Sequence, residues 1–216
     1  MRTNKLTYQK EEWQNIWTRR GFLTWLVDTG RKIYNWFFRR YLRKFISKDT
    51  RLLEVGCGTA TLTLSLAKEM KELVGVDITE SAIELSKKHA LKMGVGNSRF
   101  EVGNCLNLPY ENEFDVVWSQ GLMEHFEHPE AVAKEHYKAT KPGGVALISV
   151  PYRYSYHAFW YILTRPKTLR PLWPWTKQLF LDKKRLLAIG RTLTPKARIR
   201  FLQPLPLGII ILELPK

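Results

Sequence analysis

Short apolar runs alternate with amphipathic stretches over residues 51–150, and this rhythm sets the expected fold. RLLEV (51–55) reads as a strand and TATLTLSLAKEM (59–70) as a helix. ELVGVDI (72–78) reads as a second strand, followed by a helix over ESAIELSKKHALKM (80–93). SRFEVGN (98–104) and FDVVWSQ (114–120) add a third and a fourth strand. PEAVAKEHYKAT (129–140) is helical and ended by KPGG (141–144), and VALISV (145–150) is a fifth strand. Strands alternating with helices of this length predict βαβ units, a parallel sheet and right-handed crossovers.

The flanks have a different texture. Residues 1–50 read as helices broken near Gly21 and Gly30. After Pro151 comes an aromatic segment, YRYSYHAFWYILTRPKTLRPLWPW (152–175), in which P-L-W-P breaks any long helix. DKKRLLAIG (182–190) reads as a short helix with Gly190 at its C-terminal cap. ARIRFLQPLPLGIIILELPK (197–216) reads as two strands around a Pro/Gly turn, a hairpin added to the edge of the sheet.

Charge sharpens the division. Residues 1–50 carry 12 Lys/Arg against 4 Asp/Glu, 51–150 carry 10 against 14, and 151–216 carry 13 against 2. A mildly acidic core is thus wrapped in strongly basic extensions, which hold seven of the eight tryptophans. That pattern points to an anionic surface, membrane or nucleic acid. Two cysteines, Cys57 and Cys105, suit neither a disulfide framework nor a zinc site, so a reducing, cytoplasmic setting is expected. No signal-peptide pattern opens the sequence, and no run of about 18 apolar residues would span a bilayer.

The chemistry centres on LLEVGCGTATL (52–62). A strand feeds a G-x-G turn, where Gly56 and Gly58 let backbone approach a ligand closely. The amides opening the next helix would supply donors and a partial positive end. Asp77 ends the second strand, placed to accept the hydroxyls of a ribose. GNCLNLPY (103–110) ends the third strand, where Asn104 can read an adenine edge. A dinucleotide fingerprint would need glycine at position 61, where Thr61 stands, and this argues against a NAD-dependent oxidoreductase.

EVGCGTA, GVDIT, GNCLNLPYENEFDVV, MEHF and KPGG occur in an order and spacing that resemble class I S-adenosylmethionine-dependent methyltransferases. The resemblance covers about residues 50–150, and the hairpin-like tail resembles the antiparallel end of that family's sheet. It implies a Rossmann-like, doubly wound, mostly parallel seven-stranded α/β sheet with a C-terminal antiparallel hairpin. It implies one domain in three parts: a helical cover (1–50), a cofactor-binding core (51–150), and a substrate-side insertion with completing strands (151–216). By resemblance, Glu54, Gly56, Cys57 and Gly58 hold the methionine part of S-adenosylmethionine. Asp77 would bind the ribose and Ile78 the adenine face, while Asn104 and Cys105 face the adenine edge. Ser119 and Gln120 would lie near the cofactor's amino group, and His125 near the methyl donor as a candidate base. Two departures stand out. Ala60 replaces a third glycine, tolerable if its φ is negative, and Asn104 replaces an acid.

The remaining titratable residues read more plainly. Cys57 is a small packing residue, His128 an exposed helix-start residue, and His136 lies on a solvated helix face. His125 and His128 are three apart with no third ligand of settled spacing, so no metal is expected.

The acceptor is sought in the flanks. Over GRKIYNWFFRRYLRKFI (30–46), Ile33, Tyr34, Phe37, Phe38, Tyr41, Leu42, Phe45 and Ile46 fill an arc of about 220° at helical spacing. Lys32, Arg39, Arg40, Arg43 and Lys44 fill most of the rest. Such a helix either lies in an anionic membrane interface or packs its apolar face within the fold. The expected acceptor is therefore hydrophobic and lipid-like, with the protein peripheral at the membrane. RNA methylation is the competing reading, and a cofactor-binding adaptor without turnover is the third.

Overall fold

The computed structural model describes Trp13 and residues 35–164, 166, 178–202 and 208–216. The expected breaks at Gly21 and Gly30, Ile33 and Tyr34 of the basic helix, and the P-L-W-P segment lie outside the described residues.

Seven strands form one sheet in the order β3-β2-β1-β4-β5-β7-β6. They are β1 (Arg51–Val55), β2 (Glu72–Asp77), β3 (Ser98–Val102), β4 (Phe114–Gln120), β5 (Thr140–Pro151), β6 (Arg198–Phe201) and β7 (Ile209–Pro215). The first five are parallel where they pair with one another, and β7 runs antiparallel to both β5 and β6. This is the expected Rossmann-like sheet with its antiparallel end. The chain divides into two compact units, Met1–Cys105 and Leu106–Lys216.

In the first unit, β1 and β2 are buried almost throughout, the mark of strands covered on both faces. Their register pairs Val55 with Val76, and β2 pairs Asp77 with Val102 of β3. Helix α1 covers 35–42 and tightens into a 3-10 turn at Arg43–Phe45. Phe38, Tyr41 and Leu42 are buried, and Arg43 makes a double-pronged contact with Glu69 that lowers the carboxyl's pKa. The apolar face of this helix is thus used inside the fold over its described length. Helix α2 is only Thr61–Leu64, with a separate 3-10 turn at Ala67–Glu69, where one helix over 59–70 was expected. A side-chain hydroxyl lies at the break: Ser65 Oγ donates to Leu62 O at 2.6 Å, drawing the backbone into a tighter turn. Helix α3 (Glu80–Lys92) ends at Gly94, whose φ of 60° lets Val95 N reach back to Ala90 O.

In the second unit, helix α4 (Pro129–Ala139) begins with Pro129 at its first turn, where the missing N–H costs nothing. Strand β5 starts at Thr140 and takes in the KPGG residues, which were expected to end the preceding helix. Helix α5 (Tyr156–Leu163) follows, its first turn capped by Ser155. Helix α6 (Lys183–Arg191) is capped by Asp182, which accepts from Arg185 N at 2.8 Å. Gly190 lies inside α6 rather than capping it. A Cβ there would sit 2.7 Å from Leu212 Cδ1 and 2.9 Å from Ala197 Cβ, so its role is close helix–strand approach. Arg198 and Arg200 of β6 both pair with the buried Glu213 of β7.

Candidate functional site

Two clusters match the expected site residues, one in each unit. In the first unit the glycine turn leaves β1 through an alternation of left-handed residues, with φ of 67° at Gly56, 53° at Gly58 and 49° at Ala60. Ala60 was tolerable only with negative φ, and the structure overturns that condition. A left-handed alanine carries a cost of roughly 1–2 kcal/mol, so the turn holds Ala60 against its preference.

The turn is tied down from several directions. Gly56 N and Cys57 N both donate to Val76 O, Gly58 N donates to Asp77 Oδ2 at 2.9 Å, and Ala60 N donates to Cys57 O. On its other side, Ser86 Oγ donates to Gly58 O at 2.8 Å, and His89 Nδ1 lies 3.2 Å from Thr59 O. The amides at 56, 57, 58 and 60 are therefore all occupied by the chain's own acceptors. A phosphate cradle would leave such amides pointing outward, and the four-residue α2 is too short to add a useful dipole.

Asp77 is buried at the end of β2. Its Oδ1 accepts from Thr79 N at 3.0 Å and Thr79 Oγ1 at 2.9 Å. Burial raises its pKa, and the bonds from Thr79 and Gly58 offset part of that rise. Asp77 is thus a clamp on the turn as well as a candidate ribose ligand. Gly103 N donates to Asp77 O at 2.9 Å, which sets the half-buried Asn104 and Cys105 next in the chain after that anchor. Ile78 is half-buried beside Asp77.

Glu54 is buried in β1 and accepts from Thr63 Oγ1 at 2.5 Å. Cys57 is buried, and desolvation with the nearby Glu54 and Asp77 charges pushes its thiol pKa well up. It stays protonated and packs, as expected from sequence; it lacks the thiolate character of a nucleophile. Thr63, Thr79 and Ser86 escape sequence reasoning, because a hydroxyl that locks an acid or a carbonyl leaves no periodic signature.

The donor set fits S-adenosylmethionine better than a pyrophosphate. The strand-end groups are acids, suited to an ammonium and to ribose hydroxyls, and the turn amides of Gly56, Cys57, Gly58 and Ala60 already have acceptors within the chain.

In the second unit Ser119 and Gln120 end β4. Ser119 is fully buried, and its Oγ has no hydrogen-bond partner among the described residues. Gly121 follows with φ of 65°, its N donating to Ser149 O at 3.0 Å. The 3-10 turn Met123–His125 then presents a half-buried His125 beside a fully buried Glu124. The Glu124 Oε2 is buried without a partner among the described residues, and burial pushes its pKa up to about 8. Sequence reading left Glu124 unused. In MEHFEHPE five titratable residues crowd together, and periodicity does not reveal which one turns inward.

His128 is exposed at the start of α4, as expected, with Nδ1 3.2 Å from Glu130. His136 is a correction, being fully buried rather than solvated. Its Nδ1 donates to Val132 O at 2.8 Å, Nε2 has no partner among the described residues, and burial lowers its pKa to about 4. Among the described residues no group of three His, Cys, Asp or Glu could hold a metal ion.

Comparison with known proteins adds the family. Residues 46–172 match the model of a methyltransferase domain. An uncharacterized methyltransferase of Schizosaccharomyces pombe is 33% identical over 113 residues, 48% of this chain and 41% of that protein. A demethylmenaquinone methyltransferase of Geobacillus kaustophilus is 29% identical, covering 59% of this chain and 61% of that protein. The chain therefore spans about half the length of these curated relatives. The crystal structure of magnesium protoporphyrin IX methyltransferase from Synechocystis PCC 6803 with bound SAH superposes with a TM-score of 0.72 at 16% identity. That match covers 99% of this chain and 98% of the other, and it establishes the shared fold. With the domain matched over more than half its length and the sheet order and glycine turn in place, the chain belongs to the class I S-adenosylmethionine-dependent methyltransferases.

Proposed function

We propose that the protein transfers a methyl group from S-adenosylmethionine to a hydrophobic, lipid-like acceptor presented at a membrane. The observation that carries the donor half is the tie between the glycine turn and Asp77, with buried Glu54 in the strand that feeds the turn. Bound S-adenosylmethionine supplies an activated methyl on a positively charged sulfur. The chain's task is then alignment, worth on the order of 7–11 kcal/mol in reactions of this kind. Glu54, with Gly56, Cys57 and Gly58, is assigned the amino-acid end, Asp77 the ribose, and Ile78, Asn104 and Cys105 the adenine. Ser119 and Gln120 are assigned the amino group, and His125 holds or takes a proton where the acceptor carries one.

The acceptor half rests on chemistry outside the core. The C-terminal region is basic and aromatic, and one relative is named for a quinone, demethylmenaquinone. Titration calorimetry with S-adenosylmethionine tests the donor. Labelled methyl transfer to lipid and RNA extracts tests the acceptor. Label in the lipid fraction supports the proposal, and label in RNA alone replaces it. Tight cofactor binding with no transfer to either extract leaves the adaptor reading in its place.

A further inference from the structure

We propose that helix α5, with the aromatic side chains at its start, is the face through which the protein docks on an anionic lipid membrane. This rests on the lipid-acceptor reading above and gives it a location on the chain. The sequence YHAFWYIL contains no Lys, Arg, Asp or Glu. Phe159 is 64% exposed and Ile162 62%, and Tyr156 and Leu163 are exposed as well. At helical spacing Ile162, Phe159, Leu163, Tyr156 and Trp160 fall in one arc of about 160°. Ala158 is buried on the other side, and Tyr161 turns away to pack against Phe180 at 5.3 Å. An amphipathic helix of a globular domain turns such an arc inward, and here it faces out. Scattered exposed hydrophobes are ordinary, whereas a continuous apolar face marks an interaction surface.

The face extends beyond the helix. Tyr154 is exposed, and its ring lies 5.4 Å from that of Tyr152. Tyr152 in turn meets the exposed Phe201 of β6 at 5.3 Å. Tyrosine and tryptophan suit a surface that is apolar at one end and wet at the other.

Charge names the occupant. Residues 151–216 hold 13 basic groups and two acids, Asp182 and Glu213. Both acids are engaged, Asp182 by the α6 cap and Arg153, and Glu213 by Arg198 and Arg200. Exposed Arg153 lies 5.9 Å over the Tyr154 ring, and exposed Arg200 adjoins Phe201. An apolar centre with a positive rim complements a leaflet of anionic headgroups, where each basic group raises partitioning about fivefold. A second copy of this chain would set one positive rim against another. A face containing Ile, Leu and Phe in one arc offers nucleic acid few of the donors that read bases. Helix α1, the basic helix picked out by sequence, has Phe38, Tyr41 and Leu42 of its apolar face buried instead.

The test is flotation of the full chain with vesicles of phosphatidylcholine plus phosphatidylglycerol, against phosphatidylcholine alone. Wild type is expected to float with the anionic vesicles and to be released by salt. The double variant Phe159→Ser, Ile162→Ser is expected to lose at least about tenfold in partitioning, while Trp36→Ala on α1 floats as wild type. Hydrogen exchange on the wild type needs no variant, and amides of 156–163 should gain protection on vesicle addition. Wild type that fails to float, protection confined to other segments, or a dimer that dissolves in the double variant without any flotation overturns the proposal. Calorimetry with S-adenosylmethionine on the same samples keeps the two readings apart. Cofactor binding without flotation removes the docking face alone, and flotation without cofactor binding removes the methyltransferase reading alone.

Discussion

Replacing Glu124 by Gln should stabilise the protein, and by an amount that grows with pH. The carboxyl is fully buried, its Oε2 has no partner among the described residues, and its pKa stands at about 8 against an ordinary 4.5. Between those values the unfolded chain has released a proton that the folded chain still holds. Stability is therefore fully present below pH 4.5 and falls as pH rises toward 8. At pH 7 the interval of about 2.5 units corresponds to a loss of about 3 kcal/mol, and above pH 8 to about 5 kcal/mol. Gln has the shape of the neutral acid and does not titrate. Urea unfolding of Glu124→Gln and wild type should thus give similar stabilities near pH 4.5 and a gap of about 3 kcal/mol at pH 7. An infrared band of a protonated carboxyl that disappears near pH 8 in wild type, and is missing in the variant, would report the same group directly. A stability difference that stays constant from pH 4.5 to 8 would refute the argument, because a burial penalty on the charged form must follow its ionisation.

Other consequences are separable. His136, held neutral with a pKa of about 4, should make the fold lose about 3 kcal/mol as pH drops from 6.5 to 4, measured by urea unfolding. That loss is best read in the Glu124→Gln background, since Glu124 acts in the opposite direction over part of the window, and His136→Gln should flatten it. Gly75→Ala would set a Cβ 2.4 Å from Phe100 Cδ1, and thermal unfolding should show a loss of about 1–3 kcal/mol. Ala60→Gly should change stability by less than about 1 kcal/mol, relief of the left-handed strain offsetting added chain entropy, whereas Ala60→Val should cost about 2 kcal/mol or more. His125→Ala should lower turnover by about 10²–10⁴ for an acceptor that must lose a proton, with cofactor affinity kept. Full turnover in that variant would end the base assignment.

The strands were readable because parallel strands covered on both faces are nearly continuous apolar runs, and RLLEV and FDVVWSQ keep their expected bounds. The turn was readable because two glycines follow such a run. What escaped was set by bonds that composition does not carry. Ser65 donates to the Leu62 carbonyl where the one expected helix splits in two, and Thr63 gives its proton to Glu54. His136 reaches Val132 O four residues back, so a polar side chain sits where the helix is buried. Ala60 holds a left-handed φ against what alanine itself favours. The basic helix read both ways because its amphipathicity serves core packing and membrane binding equally well on paper.

Strand β7 lies between β5 and β6, although residues 152–208 separate it from β5 in the chain. During synthesis β5, with its Val-Ala-Leu-Ile core, emerges long before the strand that covers its edge. For that interval the nascent chain presents an open apolar edge of the kind that pairs with other copies. The exposed interval shortens with faster translation of 152–208 and lengthens with pausing there. Soluble yield in a cell should therefore depend on codon speed within that stretch and on the chaperones that shield it, even where the finished fold is unchanged.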